Sequence, residues 1–235
     1  MTERQPNRLI AALDTNDLAQ ARSWAAALAP SSGLLKLGLE FFLAHGPDAV
    51  ANVANGHPYF LDLKLHDIPN TVAGAVRAVA RLEPAMLTLH AAGGAAMIEA
   101  ARNAAEKSSH RPLLLAVTVL TSLDDQALAA TGITDGARAH VLRLGALAIK
   151  SGADGLVCSA HEVAALRDLL GPEPVLVVPG IRPKGAAQGD QARTMTPAEA
   201  MAAGADYLVV GRPITQSAAP AAAARAIVAE IASCG

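Results

Sequence analysis

Short apolar runs rich in Val, Leu and Ile alternate along the chain with Ala-rich stretches whose apolar residues recur at helical spacing. The runs predict strands at Leu9–Leu13, Leu34–Leu37, Tyr59–Leu65, Met86–Leu89, Leu113–Val119, Gly155–Cys158, Val175–Val178 and Tyr207–Val210. The stretches that follow them predict helices over 17–29, 39–54, 70–82, 94–107, 136–151, 160–170, 197–203 and 214–232. Eight strand–helix units in 235 residues predict an α/β fold, a single (β/α)8 TIM barrel forming one domain over 1–235. An internal echo fits this reading. Gly152-Ala153-Asp154-Gly155-Leu156-Val157 resembles Gly204-Ala205-Asp206-Tyr207-Leu208-Val209, and in both a helix-ending glycine feeds a buried strand. An open doubly wound sheet is the alternative. The count of eight, and polar residues at nearly every strand's C-terminal end, favour the barrel.

Composition narrows the picture. Hydrophobic residues make up 52% of the chain, enough for a large core, and aromatics only 3%, so that core must be aliphatic. A net charge of −2 gives no electrostatic reason to bind nucleic acid or an anionic membrane. No apolar run reaches membrane-spanning length, and the polar segment Met1–Asn7 is followed by no apolar signal segment, so a soluble cytoplasmic protein is expected. Cys158 and Cys234 lack metal-ligand spacing and read as inert, reduced thiols.

In a barrel of this kind chemistry sits at the C-terminal ends of the strands. Those ends carry Asp14, Lys36, Asp62, Lys64, Asp67, His90, Thr121, Ser122, Ser159, Arg182 and Arg212. Strand alternation points Asp62 and Lys64 the same way, into the barrel mouth, and Asp67 follows where the chain turns towards a helix. A lysine between carboxylates stays charged. The alternative is a structural ion pair, with Asp67 capping the helix entered at Pro69. Lys36 lies in an otherwise apolar run on the neighbouring strand, within reach of Asp62; the alternative is a lysine snorkelling to the surface. Asp14 ends the first strand and suits vicinal sugar hydroxyls. It could instead cap the first helix, although Asn16 or Asp17 could do so too.

An anion site is expected after the last two strands. Gly180-Ile181-Arg182 and Gly211-Arg212 each place a glycine and an arginine there, and loops after strands seven and eight hold phosphate in this fold. The polar segment from Arg182 to Pro197, with Gly185, Gly189, Gln191 and Arg193, is long for such a loop and reads as a lid.

Asp62-Leu63-Lys64-Leu65-His66-Asp67-Ile68-Pro69-Asn70-Thr71 resembles the signature of orotidine 5′-monophosphate decarboxylases of the shorter bacterial branch. The resemblance covers almost the whole chain. It takes in Ala12-Leu13-Asp14, Lys36-Leu37-Gly38, Val117 to Ser122, Gly180 to Pro183, Gly189-Asp190-Gln191 with Thr196-Pro197, and Gly211-Arg212-Pro213. It implies a cofactor-free, metal-free decarboxylation of orotidine 5′-monophosphate to uridine 5′-monophosphate in pyrimidine synthesis. By the same resemblance Lys64 protonates the carbon that loses CO₂, and Asp62 lies beside the substrate carboxylate. Lys36 holds the array and the ribose, and Asp14 takes the ribose hydroxyls. Thr121, favoured over Ser122, contacts the base, while Gln191, Gly211 and Arg212 hold the phosphate with Arg182 nearby. Asp67, Ile68 and Thr71 are implied to enter the partner subunit's site in a homodimer. His66 and His90 have no assigned chemistry and are expected to make structural hydrogen bonds. Two rival readings share the fold. One is a metal-dependent sugar-phosphate decarboxylase or aldolase resembling 3-keto-gulonate 6-phosphate decarboxylase, in which an acidic residue stands where this chain has Lys36. The other is a phosphate-ligand-binding barrel without catalysis, against which the intact set of Lys36, Asp62, Lys64 and Asp67 speaks.

Overall fold

Eight parallel strands pair in chain order and the last pairs with the first, closing a barrel. The computed structural model describes residues 7–183 and 195–233. The strands are β1 (Leu9–Ala12), β2 (Leu34–Gly38), β3 (Tyr59–Leu65), β4 (Met86–His90), β5 (Leu113–Val117), β6 (Gly155–Val157), β7 (Val175–Val178) and β8 (Tyr207–Val210). Around them run α1 (Leu18–Leu28), α2 (Leu39–Ala54), α3 (Pro69–Ala80), α4 (Gly94–Glu106), α5 (Asp125–Ala130), α6 (Gly136–Lys150), α7 (Val163–Leu170), α8 (Pro197–Ala202), α9 (Arg212–Thr215) and α10 (Pro220–Ala232). No helix among the described residues is long and apolar enough to cross a membrane.

Strand alternation splits the core in two. Residues such as Leu9, Ala11, Leu61, Leu87 and Leu89 pack outward against the helices. Ile10, Ala12, Leu34, Phe60, Met86, Leu115, Val177 and Val209 fill the barrel itself. Two residues further along β2, β3 and β4, the positions that follow Leu34, Phe60 and Met86 are Lys36, Asp62 and Thr88, all buried. The interior therefore turns from apolar to polar towards the C-terminal mouth. At the opposite end Gly155 lets β6 approach β7, because a Cβ there would lie 2.1 Å from the Val175 carbonyl oxygen.

The internal echo has a structural meaning. Asp154, just before β6, accepts the Leu114 N–H of β5 at 2.7 Å and pairs with Arg111 at 2.8 Å. Asp206, just before β8, accepts the Leu176 N–H of β7 at 2.7 Å and pairs with Arg167. Each carboxylate stitches its own strand to the preceding one at the N-terminal face.

All eight predicted strands are present, with β1, β5 and β6 ending one or two residues early. The helix expected over 214–232 is two helices. Pro220 opens α10, and Ala219 before it is extended (φ −136°, ψ 76°), as steric contact with a following proline requires. The helix over 39–54 is kinked at Gly46 (φ 74°), ahead of Pro47, which has no N–H to give. The segment over 160–170 starts as a 3₁₀ turn, Ala160–Glu162. Helix α5 was not anticipated; its signal was Asp124, whose side chain accepts the Ala127 N–H.

Candidate active site

The strand C-termini surround a cavity of about 560 Å³, within the size range of a small-molecule site. Asp14, Lys36, Asp62 and Lys64 line one end of it, Arg182, Gly211 and Arg212 another, and Thr121 joins from the loop after β5.

Acids and ammonium groups alternate. Lys36 Nζ donates to Asp14 Oδ1 at 2.8 Å and lies 3.6 Å from Asp62 Oδ2. Lys64 Nζ donates to both Asp62 oxygens at 2.8 Å. Lys36 is buried, so it does not snorkel. Burial by itself disfavours its charge, but Asp14 and Asp62 outweigh that and raise its pKa above the ordinary lysine value. Burial likewise opposes an ionised Asp62, yet the Lys36 and Lys64 charges and the hydrogen bonds from Lys64 and Thr88 prevail and lower its pKa. Asp62 is thus a carboxylate and Lys36 an ammonium at neutral pH. Asp14 is free for this role because Asp17 caps α1, accepting from Ala19 and Gln20 N–H.

Asp62 and Lys64 share the inward face, but not by simple alternation. Lys64 has φ +51°, in the left-handed region that costs a residue with a Cβ of order 1–3 kcal/mol. The β3–β4 register shifts there, Leu61 pairing with Leu87 but Leu65 with Leu89. Thr88 faces this bulge. Its Oγ1 accepts the Lys64 N–H at 2.9 Å and donates to Asp62 Oδ1 at 2.9 Å. Sequence reasoning passed over Thr88; its signal was a polar residue two places beyond Met86 on the same strand face.

Asp67 stands apart. It is exposed, does not line the cavity, and its Oδ1 accepts the N–H of Ile68 at 2.6 Å. Nor does it cap the next helix, since the N-cap position of α3 falls on Ile68 and no side chain caps it. Ile68 is 66% exposed, and Thr71 is exposed as well.

At the anion end, Gly180 takes φ +76°, which favours glycine, and turns the chain so that Arg182 joins the cavity lining. Burial, then the nearby Arg212 charge, lower the Arg182 pKa, so the two guanidiniums are close enough to repel. Such a pair is suited to an anion. Gln191 lies outside the described residues, as do Gly185, Gly189 and Arg193. Thr121 lines the cavity, whereas Ser122 is exposed and does not.

His66 and His90, expected to make hydrogen bonds, instead pack ring against ring among the described residues, centroids 5.2 Å apart. Burial, then the His66 and Lys64 charges, lower the His90 pKa, which keeps it neutral beside the array. Cys158 is buried, and burial pushes its thiol pKa far up, so it is inert. Among the described residues no three His, Cys, Asp or Glu side chains cluster in a way that could hold a metal ion.

A model of the orotidine 5′-phosphate decarboxylase / HUMPS family matches residues 7–227. The orotidine 5′-phosphate decarboxylase of Gluconobacter oxydans is 58% identical over 230 residues, covering 96% of this chain and 98% of that protein. That of Anaeromyxobacter dehalogenans is 58% identical over 223 residues, 94% of this chain and 97% of its own length. The crystal structure of the Lactobacillus acidophilus orotidine 5′-phosphate decarboxylase superposes with a TM-score of 0.85 at 38% identity, covering 96% of this chain and 99% of that one.

Proposed function

The chain belongs to the orotidine 5′-phosphate decarboxylase / HUMPS family and is a carboxy-lyase converting orotidine 5′-monophosphate to uridine 5′-monophosphate, and from that premise we propose that Lys64 is the acid of the reaction. One observation supports this most. Both ammonium groups on Asp62 line the cavity, but Lys36 is committed to a second carboxylate, Asp14, and its side chain is only 10% exposed, while the Lys64 side chain keeps 34% exposure.

The nucleotide phosphate lies between Arg182 and Arg212, with Gly211 beside them; Gln191, also expected to hold it, lies outside the described residues. The ribose hydroxyls donate to Asp14, whose carboxylate is 61% exposed, and Lys36 fixes Asp14 from behind. Thr121 meets the base. The substrate carboxylate then faces Asp62, and this like-charge contact is relieved as the carbon–carbon bond breaks and CO₂ leaves. The bonding electron pair stays on C6 of the ring. The fixed Lys64 ammonium stabilises that charge as it develops and then gives C6 a proton. The neutral amine regains its proton from solvent. No cofactor or metal enters these steps. Binding energy from the distant phosphate holds the reacting end in place. Asp67, Ile68 and Thr71, exposed and away from their own cavity, serve the partner's site in a cytoplasmic homodimer.

The test is an ultraviolet assay of purified protein with orotidine 5′-monophosphate, with and without exhaustive chelation. Full activity after chelation is expected. A loss that magnesium restores would show that a metal takes part in the reaction and overturn the metal-free reading. A phosphate role for Arg212 has its own measurement. Removing a charge-assisted pair costs about 1.5–3 kcal/mol. Arg212→Ala should therefore lower kcat/KM on the full nucleotide by roughly 10- to 100-fold and leave that on a phosphate-free nucleoside nearly unchanged. Equal losses on both substrates would place Arg212 with the ring or the fold instead.

A further inference from the structure

Thr88 sits where two requirements of the site meet. It is fully buried on β4, yet its hydroxyl touches two residues of β3 at once. We propose that Thr88 is a positioning residue for decarboxylation, its hydroxyl holding the Lys64 backbone in its left-handed turn while orienting the Asp62 carboxylate that carries the Lys64 ammonium. The inference rests on Lys64 being the acid.

The geometry allows little else. Where β3 bulges, the ladder to β4 is interrupted between Leu61 and Leu65, and the Lys64 N–H would be left without a strand partner. Thr88 Oγ1 takes that N–H as acceptor. A hydroxyl has one hydrogen, and this one is committed to Asp62 Oδ1. Asp62 Oδ1 also receives the Lys64 ammonium. Backbone, hydroxyl, carboxylate and ammonium thus form a closed ring of bonds that fixes Lys64 at both its N–H and its Nζ. A valine has the same shape and neither bond. In its place the left-handed turn at Lys64 loses its anchor, and the carboxylate loses a donor that fixes its plane. A misplaced proton donor costs turnover far more than ground-state binding.

Thr88→Val should lower kcat by ~10- to 100-fold, the loss expected for a hydrogen bond to a charged group, with KM moving less than about threefold. Thr88→Ser keeps the hydroxyl and should hold kcat within about threefold of wild type. Removing the donor disfavours the ionised form of Asp62, so the acid limb of the kcat–pH profile should move to higher pH in the valine variant and stay put in the serine variant. A purely structural threonine would lower the melting temperature without this kcat-against-KM split or limb shift. Product-nucleotide binding checks that the valine variant is folded. If it is not, Thr88→Ala is measured against the same expectations. Unchanged kcat in a folded Thr88→Val, or a serine variant as slow as the valine one, overturns the proposal. Lys64→Ala, assayed alongside, separates the two ideas. If that variant is dead while Thr88→Val runs at full rate, only the role of Thr88 falls; if Lys64→Ala is active, the acid assignment falls with it.

Discussion

Replacing Lys64 with alanine is expected to reduce kcat by about 10⁴-fold or more while uridine 5′-monophosphate still binds. General acid catalysis contributes roughly 10²–10⁴, and a preorganised charge at a developing anion a further 10²–10³ or so. With Lys64 as the proposed acid, both fall to one ammonium group, held at 2.8 Å by both oxygens of a buried carboxylate. That carboxylate cannot relax into water when the ammonium is removed, so the site loses its charge complement as well as its proton. The proposed phosphate and ribose contacts, Arg182, Arg212 and Asp14, do not include Lys64, which is why product affinity should survive. Single-turnover rates at saturating substrate, with calorimetry of the product, separate the two quantities. A variant keeping a tenth of wild-type turnover would show that another group delivers the proton.

The second large effect is a recovery. Lys64→Ala and Asp67→Ala should each be inactive alone, and a mixture of the two, dissociated and reassociated, should regain roughly a quarter of wild-type activity. Asp67 is exposed and turned onto the Ile68 N–H rather than towards Lys64 of its own chain, and the apolar side chain beside it is 66% open to solvent. If the exchange is reciprocal across a two-fold axis, each site draws Lys64 from one chain and Asp67 from the other. One site of a mixed dimer then carries both lesions and the other neither, and random pairing makes about half the dimers mixed. No recovery after confirmed subunit exchange would return Asp67 to its own chain's chemistry.

Much of this was legible in the sequence because a parallel barrel strand is buried on both faces. Runs such as Val175–Val178 and Tyr207–Val210 announce themselves as apolar blocks, and their count specifies the closed sheet. Lys36 and Asp62 were legible for the converse reason: a charge within such a block needs a partner, and the partner was on the next strand. The left-handed turn at Lys64 was not legible, since the register shift behind it depends on how β3 meets β4, a contact between distant segments. Thr88 was hidden for the same reason, as a threonine in a strand is ordinary until its neighbours are known. Asp14 and Asp17 competed for one cap, and only the path of the chain gave it to Asp17. The break before Pro220 could have been read, because the residue before a proline resists helix.

The two stitching carboxylates, Asp154 and Asp206, lie at the start of their strands, whereas the ammonium array lies at the other end of the barrel. Two of the bonds that tie strand to strand and the groups that carry the chemistry therefore sit on opposite poles of the molecule. A change to the Arg111–Asp154 or Arg167–Asp206 pair can alter how those strands are anchored without touching any residue of the mouth.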